Sequence, residues 1–289
     1  MERSVLAMQR RDGLPSLIAL MPRKEYFTGL FVLACINGLV SRAAFSVSKL
    51  GWVEAILRTF DISVIVLLAC LVGLKLIFHD KPQHSEIVRS SDIAVGAGCL
   101  LLIALPITGL SWLAVTVLSF YILLFVSSSS SRRGGAIVLL AVTVPMLWSM
   151  LLFQLLANSI LVIDASLVGW ILGTNRTGHM VAFADNSGTL AILPACSSLA
   201  NVSLAMLCWV TISQLVRHRW SSVDILWCLF ACVSVIAVNV TRLSFMGLSN
   251  SHYDAIHSEW GGDVANVIIL GLTVGISLLG VRRELFSRT

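Results

Sequence analysis

Long apolar stretches recur eight times along this chain, and no other feature limits its fold so tightly. They fall at roughly 27–47, 59–78, 92–109, 111–127, 136–157, 195–216, 223–247 and 263–281. A helix that crosses a bilayer needs about 20 mostly apolar residues, and each stretch comes near that length. Only 12% of the 289 residues are charged, too few to coat a soluble fold of this size. A membrane β-barrel would instead show segments of about ten residues with alternating polarity. The expectation is an all-α polytopic membrane protein with about eight transmembrane helices. Its net charge of +5 then speaks of topology and of contact with the lipid bilayer, not of nucleic acid.

The basic residues predict the orientation. With both termini inside, only Arg42, Lys49, Arg58, Arg176 and Arg242 of the 20 lysines and arginines fall outside. The segments read as a cytosolic tail over 1–25, N-terminal transmembrane helices over 26–135 and a second transmembrane region over 136–289. A turn at Pro106–Ser111 separates the third and fourth stretches, with a re-entrant pair left open. The Ser127–Ser131 run with Arg132-Arg133-Gly134-Gly135 reads as a flexible inner loop. Residues 158–172 read as an interfacial or re-entrant helix interrupted by Asp164. Polar turns on either side of Met180–Phe183 predict a small outer-face loop or β-hairpin ahead of the sixth span.

Seven cysteines are present, and six of them (Cys35, Cys70, Cys99, Cys208, Cys228 and Cys232) lie inside apolar helices, where a thiol packs as a small apolar group. None has the His or carboxylate neighbours of a metal site, so no metal or organic cofactor is expected. Cys196 differs. It stands at a predicted membrane boundary, two residues after Pro194, a residue suited to the first turn of a helix. A thiol there would meet the positive end of the helix dipole and free backbone N–H groups, which favour the thiolate and could hold an oxyanion.

Arg242 and His257 are expected at the same membrane surface. Arginine in a spanning segment either snorkels to headgroups or faces inward, where it binds a carboxylate or stabilises developing negative charge. Asn239, one turn earlier, shares its helix face and is placed to orient it. His257, in a loop before the last span, is a candidate to take the thiol proton and return it to a leaving amine; His252 in the same loop competes for that role. His179 and Asp185, in the polar turns, serve as turn residues or as catalytic partners. Asn239 and Ser197 flank the group and are the candidate substrate-binding residues.

Three pieces, Ala195-Cys196-Ser197, Asn239-x-x-Arg242 and His257-x-x-x-Gly261, together with Phe153-Gln154-Leu155 and the run to Gly173, resemble the exosortase/archaeosortase family. The likeness covers about Pro145 to Ser277. It implies a membrane cysteine peptidase or transpeptidase with Cys196 as nucleophile, Arg242 as transition-state stabiliser and His257 as general acid/base. The implied partners are membrane-anchored proteins bearing a C-terminal sorting signal of the PEP-CTERM type, often linked to exopolysaccharide production. The implied place is the bacterial inner membrane, with the active site on its outer side. The sequence departs from the family where Pro194 replaces an acidic residue, Ser198 a glycine and Ala200 a basic residue. The rival expectation is a non-catalytic membrane component of an exopolysaccharide system.

Overall fold

A computed structural model of the chain describes residues 21–79, 87–105, 107–126, 129–218 and 221–282. Most of these are helical, and the chain divides into two compact units, Met1–Thr143 and Val144–Thr289. Six helical runs are long and apolar enough to cross a membrane: Arg23–Leu50, Gly109–Val126, Ser130–Leu172, Ser198–Leu215, Ser222–Met246 and Trp260–Gly280. The expected count of eight is not reached. The second and third apolar stretches form helices of only 15 residues each, Val64–Phe78 and Ser90–Ala104.

The first unit is built on α1 (Arg23–Leu50), followed by a short α2 (Trp52–Leu57), α3 (Val64–Phe78), α4 (Ser90–Ala104), α5 (Thr108–Tyr121) and α6 (Ser130–Thr143). Three successive residues with positive φ, Thr59, Phe60 and Asp61, break the helical path ahead of α3 and shorten the second apolar stretch from its start. Helix α3 packs closely on α6 because each offers a glycine: a Cβ on Gly135 would lie 2.7 Å from the Gly73 carbonyl oxygen. Small residues let membrane helices approach in this way. The region read as a flexible loop is therefore partly helix, since α6 begins at Ser130 and buries Arg132; Ser127 and Ser128 lie outside the described residues. Most of the expected cytosolic tail, residues 1–20, also lies outside them.

Arg23 and Asp92 form a buried ion pair in this unit. The Arg23 Nε and Nη2 donate to the two Asp92 carboxylate oxygens at 2.7 and 2.8 Å. Asp92 also accepts from the Arg89 N–H at 2.8 Å and from the Tyr121 hydroxyl at 2.9 Å. Asn37 bridges the Ile103 carbonyl and the Ser111 hydroxyl at 3.0 and 2.8 Å.

The second unit opens on a wide π-turn, Val144–Trp148, that accommodates Pro145, and continues as α7 (Ser149–Leu172). Residues 158–172 are not a separate interfacial or re-entrant element. They are the second part of α7, which bends at Leu156 (φ −118°, ψ 16°) and stops at Gly173 in the left-handed conformation. The expected hairpin gains a third strand. Strands β1 (Arg176–Thr177), β2 (Met180–Ala182) and β3 (Thr189–Ala191) form an antiparallel meander, with Val181 opposite Leu190.

Alternation puts Val181 and Leu190 on the buried face of the meander, with Phe183 and Ile192 beyond the strand ends. They pack against Leu161, Ala165 and Val168 of α7 and against Val240, Leu243 and Met246 of α9 (Ser222–Met246). The Ala184 N–H donates to the Gly247 carbonyl at 2.9 Å and ties the sheet to the end of α9. Helix α8 (Ser198–Leu215) precedes α9, while α10 (Asn250–His257) and α11 (Glu259–Gly280) follow it. The stretch read as a loop carrying His252 and His257 is thus a helix, started by Ser249, whose hydroxyl caps the His252 N–H.

Candidate functional site

Cys196 closes a single 3-10 turn, Pro194–Cys196, with Pro194 at its first position. It is not in the first turn of α8. Ser197 intervenes as the N-cap, and α8 begins at Ser198. The backbone N–H groups near the thiol are all occupied. That of Cys196 donates to the Leu193 carbonyl at 2.9 Å, that of Ser197 to the Pro194 carbonyl at 3.2 Å and that of Leu199 to the Ser197 hydroxyl at 3.3 Å. The Ser198 N–H goes to Asp164 at 3.1 Å. The expected ring of free N–H donors around Cys196 is therefore absent at residues 196–199.

What holds the turn is a buried polar network from three helices. Asp164 of α7 accepts from both the N–H and the hydroxyl of Ser198, the latter at 2.9 Å. Asn239 of α9 donates to the Ser198 hydroxyl oxygen at 3.0 Å and to the Cys196 carbonyl at 2.8 Å. A carbonyl only accepts, so its bond fixes which end of the Asn239 amide faces the turn. Asp164, Ser197, Ser198 and Asn239 are all buried, and the half-buried Cys196 packs, as Tyr253 and Ile256 do, against the core of Val181, Leu190 and Leu243. Asn239 thus grips the cysteine turn and not Arg242. It and Ser197, the candidate substrate contacts, make their hydrogen bonds within the protein.

Arg242 lies one turn further along α9 on a neighbouring face. Its side chain reaches α11, where a Cβ on Gly262 would be 3.8 Å from Nη2. It lines a groove between α9 and α11 of about 450 Å³, which Cys196 and His257 do not line. Gly261 is required where α11 meets the end of α10, since a Cβ there would come within 2.3 Å of the Ile256 carbonyl oxygen. His257 is exposed and stacks on Tyr253, with ring centroids 4.9 Å apart and planes 13° apart. His252 is exposed as well, its Nδ1 2.7 Å from the Ser249 hydroxyl. Among the described residues no hydrogen bond joins Cys196, Arg242 and His257. The structure brings Cys196 together with Asn239, while Arg242 lines the groove and His257 stacks on Tyr253, which packs against the same core cluster as Cys196.

Two further candidates are turn residues here. Asp185 accepts from the Ser187 N–H at 2.9 Å, and the Ser187 hydroxyl and backbone hold its carboxyl below the ordinary carboxylate range. The His179 carbonyl accepts from the Ile192 N–H at 3.0 Å. Asp164 is the member of the network around Cys196 that the sequence offers only as a break in an apolar run. Its signal was present, because a lone carboxylate inside an apolar run asks for a polar partner. Comparison with protein-family models, curated proteins and solved structures finds no match.

Proposed function

We propose that this chain is a membrane-embedded cysteine peptidase or transpeptidase of the exosortase type, acting on the C-terminal sorting signal of membrane-anchored exported proteins. In this reading it sits in a bacterial inner membrane with both termini in the cytoplasm and Cys196 toward the outer side. One observation supports it above all. Of seven cysteines, Cys196 alone lies outside the helices that bury or pack the others, on a turn whose last carbonyl is held from α9 and which leads into Ser198, held from α7. Fixing a nucleophile's backbone while leaving its side chain partly accessible is what positional catalysis asks of a protein.

In the proposed reaction the Cys196 thiol passes its proton to His257, and the sulfur attacks a peptide carbonyl. The tetrahedral oxyanion draws its stabilisation from Arg242, because the local backbone N–H groups already have acceptors. The C–N bond then breaks, His257 protonates the leaving amine, and a thioester remains. Water or an acceptor amine resolves the thioester and restores the thiol. His257 must first leave its stack on Tyr253; catalytic hydrogen bonds often tighten only when substrate binds.

The test is a reporter carrying a candidate sorting signal, co-expressed with the protein. Cys196→Ala should abolish processing while membrane insertion is retained, and undiminished processing by that variant sinks the proposal. His257→Ala and His252→Ala, measured side by side, identify the acid/base. The lack of a bond between His257 and Cys196 favours a second reading, a non-catalytic component of an exopolysaccharide system. That reading expects Cys196→Ala to be silent and Arg242→Ala to be harmful.

A further inference from the structure

The groove between α9 and α11 carries an inference that does not depend on Cys196 being a nucleophile. It runs from Phe245 back to Ala237 on one wall and from Trp260 to Ile268 on the other. Eight residues at 1.5 Å each make either wall about 12 Å long. Phe245, Trp260 and Ile268 are exposed, so the groove opens on the outer surface of the helices. Its polar side chains, apart from the Trp260 indole, are Thr241 and Arg242. Arg242 Nε is buried and has no hydrogen-bond partner, and among the described residues no carboxylate forms an ion pair with the guanidinium. A partly buried guanidinium that lines a groove between apolar helix faces, with no carboxylate paired to it among the described residues, is the half of an ion pair that an anion in the groove completes.

We propose that this groove binds an anionic phospholipid, with its phosphate on Arg242 and one acyl chain along the wall between Ala237 and Ile268. A peptide fits the groove less well. An extended peptide brings an N–H and a C=O with every residue, and these walls offer them one hydroxyl and one guanidinium. An acyl chain brings none. Phosphate suits the planar guanidinium, which hydrates weakly and donates two parallel N–H bonds. A net anionic headgroup is preferred because a zwitterionic lipid carries its own ammonium beside the phosphate. The function proposed above gives the same guanidinium to an oxyanion. On that reading a bound lipid must yield to substrate, and raising the anionic lipid content slows processing.

The experiment uses the full chain in phosphatidylcholine nanodiscs doped with brominated-chain phosphatidylglycerol or, separately, brominated-chain phosphatidylcholine. Bromine quenches nearby indole, and subtracting the signal of a Trp260→Phe variant isolates Trp260. Phosphatidylglycerol should quench Trp260 at about a fivefold lower mole fraction than phosphatidylcholine. Arg242→Gln should remove that preference while leaving residual quenching by both lipids, and Arg242→Lys should keep part of it. Equal quenching by the two lipids in the unsubstituted chain overturns the proposal, as does a preference that survives Arg242→Gln. A Trp260 response to an acidic apolar peptide with no lipid preference overturns it too and makes the groove a peptide site. These readouts stand apart from processing, so loss of the lipid site and loss of the peptidase reading are told apart.

Discussion

Both units bury a carboxylate on an apolar helix, and they satisfy it in different ways. Asp92, in the first unit, answers a full cation: Arg23 grips both of its oxygens while Tyr121 and the Arg89 N–H supply the remaining bonds. Asp164, in the second, answers no cation among the described residues and instead takes the N–H and hydroxyl at the start of α8. The first arrangement is closed, with charge matched by charge. The second uses a helix N-terminus as the counterweight and passes its hold through Ser198 and Asn239 to Cys196. A closed pair braces a fold, whereas the second arrangement ends on a half-buried thiol, the nucleophile of the proposed function.

The sharpest way to break the contrast is at Asp92. Asp92→Ala leaves Arg23 buried without its carboxylate, which should cost about 3–5 kcal/mol and lower the detergent-solubilised unfolding midpoint by more than any other single change named here. Asp164→Ala should cost less, about 1–3 kcal/mol for the orphaned donors of Ser198. Its larger effect is expected on function: a loosened Cys196 turn should cut processing about 100-fold, against an Asp92 variant that folds at low temperature and keeps its rate. Equal losses of rate from the two would erase the distinction. Ser198→Ala removes one link between Asp164 and Asn239 and should cost about 1 kcal/mol, read in the same unfolding assay.

The smallest effect concerns pH. The folded-state Asp185 carboxyl titrates below its ordinary value, so what it adds to its turn is present at neutral pH and lost as pH falls through that lowered value. The protection of the Ser187 amide against exchange, measured relative to its intrinsic rate at each pH, should fall on acidification, and Asp185→Asn should flatten that dependence.

Much of the membrane character was legible because hydropathy needs only composition over a window. The expected spans 59–78 and 92–109 appear as apolar helices of only 15 residues. Helix α3 starts late because Thr59, Phe60 and Asp61 adopt positive φ with no glycine to announce it, and α4 stops at Ala104 although Leu105 and Ile107 continue the apolar run. The polar composition of 249–258 disguised α10, although Ser249 was available as its cap. Pro194 was rightly read as opening a turn, but of a separate 3-10 helix that leaves Cys196 ahead of α8. The network around Cys196 was out of reach for a different reason. Asp164 and Asn239 stand 34 and 41 residues from Ser198, and no local pattern records which distant side chains meet.

The contacts at the start of α8 also set an order of assembly. Asp164 is synthesised before Ser198, so its half of the hold is ready when α8 emerges. Asn239 follows Cys196 by 43 residues, and the cysteine carbonyl must wait for α9 to be made and docked. Until then the thiol rides on a turn secured from one side only. A later helix, α9, therefore completes the hold on a turn made before it, and a chain truncated before α9 should insert its earlier helices without ever fixing its cysteine.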